Sequence, residues 1–169
     1  NQSLALRHSM LRRTCLPHKR GSLGRRSISS STARTVLAAC VERCGNKSKP
    51  LPPLEDALRV MADAGAIMKS LPNVVAIPCA DDNKGGTITV CGDVHGQAED
   101  FFGILKRHGD PVVKKQILFN GDFVDRGPQG VEVFLALCCH KVLSPAAMHL
   151  TRGNHETLSI SSSYGFSWE

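Results

Sequence analysis

Thr87-Ile88-Thr89-Val90-Cys91-Gly92-Asp93-Val94-His95-Gly96 is a β-rich run that stops at a glycine and hands over at once to an Asp and a His. The same figure recurs twice downstream. Residues 116–120 (QILFN) form a second apolar run, which ends at Gly121-Asp122-Phe123-Val124-Asp125-Arg126-Gly127. Residues 148–151 form a third, ending before Gly153-Asn154-His155-Glu156. Between these runs lie two segments of helical period. One is 98–107, with Phe101 and Leu105 four apart, and the other is 131–142, stepping through Val131, Leu135 and Cys138. Strands alternating with helices predict an α/β domain with at least partly parallel pairing. In such sheets the loops at the carboxyl ends of the strands converge on one crevice.

The side chains gathered by those loops are two Asp, a His and an Asn, with a further Asp, His and Arg beside them. Carboxylate, imidazole and amide oxygen together suit hard and borderline divalent ions better than thiolate would. A shared Asp can bridge two such ions, and two ions about 3.5–4 Å apart can clamp a phosphate and acidify a water. An adjacent Arg offers a planar fork to phosphate oxygens. Any one of the three blocks is a weak signal. Three in order, each closing an apolar run and separated by one helix, are far more specific.

Working outward, the 169 residues carry a formal charge of +6, and 41% are hydrophobic. The charge is unevenly placed: residues 1–49 hold eleven of the 21 Lys/Arg but one of the 15 acids, Glu42. The excess is thus a basic front segment on a mildly acidic remainder, and no nucleic-acid-binding domain is expected. Its run of Arg12-Arg13, Arg25-Arg26 and Ser27 to Ser31 is consistent with a disordered tail, an Arg- and Ser-rich organelle-targeting peptide, or a basic interaction arm. Ser27, after the Arg pair, could also accept a phosphate. The domain boundary is expected at Pro50-Leu51-Pro52-Pro53, giving 1–49 as the front segment and 50–169 as the domain. After it, Leu54, Leu58, Met61, Gly65 and Met68 recur at helical steps up to Pro72-Asn73, 74–77 is a strand candidate, and 81–86 a polar turn. Seven cysteines without regular spacing suggest reduced, packing thiols and a reducing compartment. The histidines at 8, 18, 108, 140 and 149 lack a setting like those above and read as surface or packing residues. No run reaches the ~18 apolar residues of a membrane span.

GDVHGQ, GDFVDRG and RGNHE, followed by YGF, resemble the phosphoprotein phosphatases, a family of metallophosphoesterases. ITVCGDVHGQ, FNGDFVDRG and HLTRGNHET look more like the type 5 and EF-hand-bearing branches than types 1 or 2A. The resemblance runs from about Leu54 to Glu169. It implies a layered β-sheet flanked by helices, of which the C-terminal half lies beyond this sequence. It also implies hydrolysis of phosphoserine and phosphothreonine in proteins by a two-metal-activated hydroxide, the metals being manganese, iron or zinc.

Carried over by position, Asp93 and His95 would bind the first metal, Asp122 would bridge both, and Asn154 would bind the second. His155 would be the general acid, with Asp125 orienting it. Arg126 would hold the phosphoryl oxygens, and Tyr164 would line the substrate cleft. Two more histidines, a second arginine and the opposing layer of sheet would come from later in the family's domain. Their absence predicts exposed apolar surface and strand edges. The partners implied are phosphoprotein substrates, with room for a regulatory subunit. The location implied is cytoplasmic or nuclear, or an organelle if the basic segment is a targeting peptide. Two other readings stay open: a short metal-binding form without catalysis, and a different metallophosphoesterase such as a dinucleoside polyphosphate hydrolase.

Overall fold

A computed structural model describes residues 28–78 and 86–169. Three short strands, β1 (Thr87–Cys91), β2 (Lys115–Phe119) and β3 (Met148–Leu150), form a parallel sheet in the order β1-β2-β3. Helix α3 (Ala98–His108) connects the first pair and α4 (Gly130–Leu143) the second. Both crossovers advance the same way, so the right-handed rule places α3 and α4 on one face of the sheet, and they do pack against each other. The α/β architecture matches the expected alternation. A last helix, α5 (Leu158–Tyr164), leads through Gly165 into a single 3-10 turn at Phe166–Trp168.

Alternation along β2 divides the sheet. Ile117 and Phe119 are fully buried toward the helices, packed with Phe101 of α3 and with Val133, Ala136 and Leu137 of α4. Burying such side chains contributes about 1.5–3 kcal/mol each. The opposite face is only partly covered: Val90 is 64% exposed and Leu118 half-buried. The segment expected to be a strand at 74–77 approaches this face but is irregular. It is held by a side chain, Gln116 Nε2 donating to the carbonyl of Pro78 at 2.8 Å, in place of a backbone ladder. Pro72 and Pro78 flank it and have no N–H to give. The turn expected at 81–86 lies, Gly86 apart, outside the described residues. So do Cys15, Cys79, His8, His18 and the Arg25-Arg26-Ser27 motif.

Two expectations need correction. The first concerns the basic front segment, which is not separate from the domain throughout. Residues Ser30–Arg43 form a helix, α1, capped by the Ser29 hydroxyl, which accepts from Thr32 N at 3.1 Å. Ala33, Val36 and Cys40 of α1 are completely buried against α4. The apolar positions 33, 36, 37 and 40 follow helical spacing, but they are interleaved with Arg and Ser, and composition hid them.

The second concerns α2 (Leu54–Lys69). Its expected apolar stripe largely faces solvent, with Leu54 73%, Leu58 54% and Met61 39% exposed. The buried face is Ala57, Val60 and Ala64. Both stripes share the same period, and the small residues win because they let α2 approach α4 closely.

The docking of α1 shields three thiols. Burial, reinforced by Glu132 and opposed by Arg43, pushes the Cys40 thiol up to about 12. Burial first, then Cys40, pushes Cys138 up to about 12, and the same two influences raise Cys139. Thiolate is the reactive form, so iodoacetamide at pH 8 should leave Cys40, Cys138 and Cys139 unlabelled in the folded chain and label all three in denaturant. Peptide mapping that finds rapid labelling of Cys40 under native conditions would show α1 undocked.

Candidate active site

The parallel pairing brings the three strand-end loops side by side, and backbone hydrogen bonds lock the first to the second. Val94 N and His95 N both donate to the carbonyl of Asp122, at 3.1 and 3.0 Å, and Gly96 N donates to Phe123 O at 2.8 Å. In return Gly127 N donates to His95 O at 2.8 Å. A side chain at Gly127 would strike the His95 carbonyl, so the backbones can meet only there because position 127 has none. The bends require left-handed backbone at four non-glycine residues, with φ of 40° at His95, 51° at Asp122, 65° at Asp125 and 66° at Arg126. Asp and His tolerate that region better than most residues, yet each costs on the order of 1–3 kcal/mol and persists only where its surroundings enforce it.

The third loop is joined to the second by Glu156, a residue whose role was not legible from the motif alone. Its carboxylate accepts three backbone amides: Asp122 N at 2.8 Å, Phe123 N at 2.7 Å and Gly153 N at 2.9 Å. Asp122 Oδ1 accepts from His155 N at 3.0 Å. Gly153 lies so close to the Asp122 carboxylate that a Cβ there would collide with it.

His95, Asp122 and His155 each offer a ligand atom within 4.8 Å of the others. His95 Nδ1 lies 2.9 Å from the carbonyl of Val124. A carbonyl can only accept, so the hydrogen sits on Nδ1 and Nε2 keeps its lone pair, as a metal-binding imidazole requires. Asp93 is exposed on the same loop, its Oδ2 3.7 Å from His95 Nε2. Asn154 is exposed between Gly153 and His155. This nitrogen-and-oxygen set, without thiolate, fits a hard-to-borderline divalent ion.

The second cluster centres on His155, which is 3% exposed. Its Nδ1 lies 2.9 Å from Asp125 Oδ2, and the carboxylate's other oxygen accepts Phe166 N at 2.9 Å. Asp125 therefore ties His155 to the backbone just past Tyr164. The Tyr164 ring centroid is 4.8 Å from that of His155, and the exposed Arg126 guanidinium stands 5.9 Å over the Tyr164 ring. The His95 and His155 rings meet edge to face at 4.7 Å. All eight residues singled out from the sequence thus lie on or beside the three loops and α5. A cavity of about 470 Å³ touches His155 and Glu156 but includes neither Asp93, His95, Asp122 nor Arg126; it is lined mainly by Met68, Val124, Phe134, Leu150 and Phe166.

Residues 86–169, which hold all three loops, match the family described as Calcineurin-like phosphoesterase, and the chain belongs to that family. Within it the likeness is to serine/threonine-protein phosphatases of the expected branches. Serine/threonine-protein phosphatase T of Schizosaccharomyces pombe is 41% identical over 117 residues, which are 69% of this chain and 24% of that protein. Human serine/threonine-protein phosphatase with EF-hands 1 is 37% identical over 112 residues, 66% of this chain and 17% of that protein. A solved protein serine/threonine phosphatase from Saccharomyces cerevisiae, with similarity to human phosphatase PP5, superposes with a TM-score of 0.71 at 34% identity. It covers 79% of this chain and 42% of its own. The chain spans a quarter or less of the length of the two sequence relatives.

Replacing Glu156 by Gln puts an amide donor among three backbone donors. The expected result is a loss of about 1–3 kcal/mol in stability, from amides left unsatisfied, and manganese affinity weakened roughly 10- to 100-fold. Denaturant titration and calorimetric metal titration measure the two effects. Unchanged affinity would mean that Glu156 does not hold Asp122 in place.

Proposed function

We propose that this chain forms the first part of the catalytic domain of a phosphatase acting on phosphoserine and phosphothreonine in proteins. The observation that carries the reading is the buried Asp125–His155 pair beside the His95–Asp122 donor cluster, with Arg126 and Tyr164 at its exposed side. Metal binding is supported by donor chemistry, and the substrate class by the likeness to serine/threonine-protein phosphatases.

In this reading Asp93 and His95 would hold one ion, Asn154 would help hold a second, and Asp122 would serve both. Manganese, iron and zinc all suit the set. When bound, such a pair of ions neutralises phosphate charge and acidifies water at neutral pH. The chain's own residues do the rest. Arg126 pairs with phosphoryl oxygens and sets their orientation. His155 keeps Nδ1–H on Asp125, so the proton it gives to the leaving Ser or Thr oxygen comes from Nε2. The Asp125 carboxylate, buried with His155, stabilises the imidazolium before the transfer. Tyr164 packs on His155 and offers an aromatic wall to the bound peptide.

His155 is also within reach of the metal cluster, so ligand and acid are rival roles for it, and one experiment separates them. In the manganese-loaded protein containing this chain, His155→Ala should cut phosphate release from a phosphoserine peptide by about 10²–10⁴-fold with metal content retained. Asp122→Ala should lose both ions. Loss of metal in the His155 variant would make it a ligand. A wild-type protein that cleaves dinucleoside polyphosphates but no phosphopeptide would overturn the substrate assignment.

A further inference from the structure

The loop that carries Asp125 and Arg126 is braced by the helix that composition had set apart from the domain. Gln129, two residues beyond Gly127, is buried, and its side-chain amide is used at both ends. Nε2 donates to the carbonyl of Arg43 at 2.8 Å, and Oε1 accepts from Gly45 N at 3.1 Å. The backbone amide of Gln129 donates to Gly96 O at 3.1 Å, the carbonyl directly after His95. In the first turn of α4, the Glu132 carboxylate, with its side chain 3% exposed, accepts from Arg43 Nε at 2.7 Å. Arg43 Nη1 also donates to the carbonyls of Lys47, at 2.9 Å, and Lys49. The chain leaving α1 is therefore wrapped around the cation that pairs with α4.

We infer that Gln129 and the Arg43–Glu132 pair are positioning residues, through which the end of α1 holds the Asp125–Arg126–Gly127 loop in its working curvature. The loop needs such support because Asp125 and Arg126 both adopt left-handed backbone, which L residues leave unless the surroundings enforce it. It is held on its near side by the Gly127–His95 bond and on its far side by Gln129. Gln129 in turn is fixed by two backbone groups of the α1 end. A largely buried ion pair whose cation also donates through Nη1 to two carbonyls is geometrically demanding, which suits it to setting an angle. Freed from this brace, the loop would carry Asp125 away from His155 and Arg126 away from Tyr164.

The kinetic side of this inference rests on the phosphatase reading, so the test has a second readout that does not. Gln129→Met keeps the volume but removes both amide bonds. Arg43→Met removes the pair, and Arg43→Lys retains a charge as the conservative control. In the protein containing this chain, hydrogen exchange at residues 125–127 should quicken at least tenfold in the two Met variants, with that at Leu135 to Cys139 changed less than twofold. In the phosphopeptide assay, kcat per folded molecule should fall about tenfold and KM should rise, with Arg43→Lys recovering part of both. A role confined to stability would quicken exchange throughout α4 and leave kcat per folded molecule unchanged, and that result overturns the inference. If the wild-type protein shows no turnover, the phosphatase reading fails, and the exchange pattern alone still decides whether the brace exists.

Discussion

Asp122 stands where three loops meet, and its backbone is pulled from two sides. Its carbonyl receives the amides of Val94 and His95, and its own amide goes to Glu156, while its side chain receives His155 N. Its left-handed backbone is affordable only because these bonds act together, and the collision that a side chain at Gly153 would cause shows how little slack remains. The position of every donor in the cluster follows from this node: His95 through the first loop, His155 through the third, and Asp125 through the continuation of the second.

The parts of the site that were legible in the sequence are those where chemistry and spacing coincide. Gly-Asp-Val-His-Gly, the Asp-Arg-Gly block and Gly-Asn-His-Glu each follow an apolar run, and parallel pairing brings such loops together whatever the details of the core. Glu156 was written in the third block, yet an acid beside a histidine does not announce that it will accept backbone amides from another loop. That depends on the left-handed bends at Asp122 and Asp125, which no residue pattern encodes for non-glycine positions. Gln129 was invisible for the same reason, since its partners are carbonyl and amide groups some 84 to 86 residues away.

The fold was legible in its alternation and less so in its faces. The α2 period offered two stripes, and hydrophobicity pointed to the leucines while packing chose Ala57, Val60 and Ala64. In α1, apolar residues at the right spacing were outweighed by their Arg and Ser neighbours, although long cationic side chains sit readily on the outer face of a packed helix. The sheet keeps one face that its helices do not reach, where Val90 remains open. A parallel sheet is ordinarily covered on both faces, and among the described residues this one is fully covered on only one.

The seat of α1 on α4 has a cost during synthesis. Arg43 and Glu132 are 89 residues apart in sequence, and a ribosome adds roughly 5–20 residues per second. The buried stripe of Ala33, Val36 and Cys40 therefore waits roughly 5–20 s for its partner to be made. Throughout that interval the helix is too short to be stable alone and shows its apolar side to whatever else is nearby. The arginines and serines that disguised it as a tail serve it well then, because they keep the nascent segment solvated until α4 arrives.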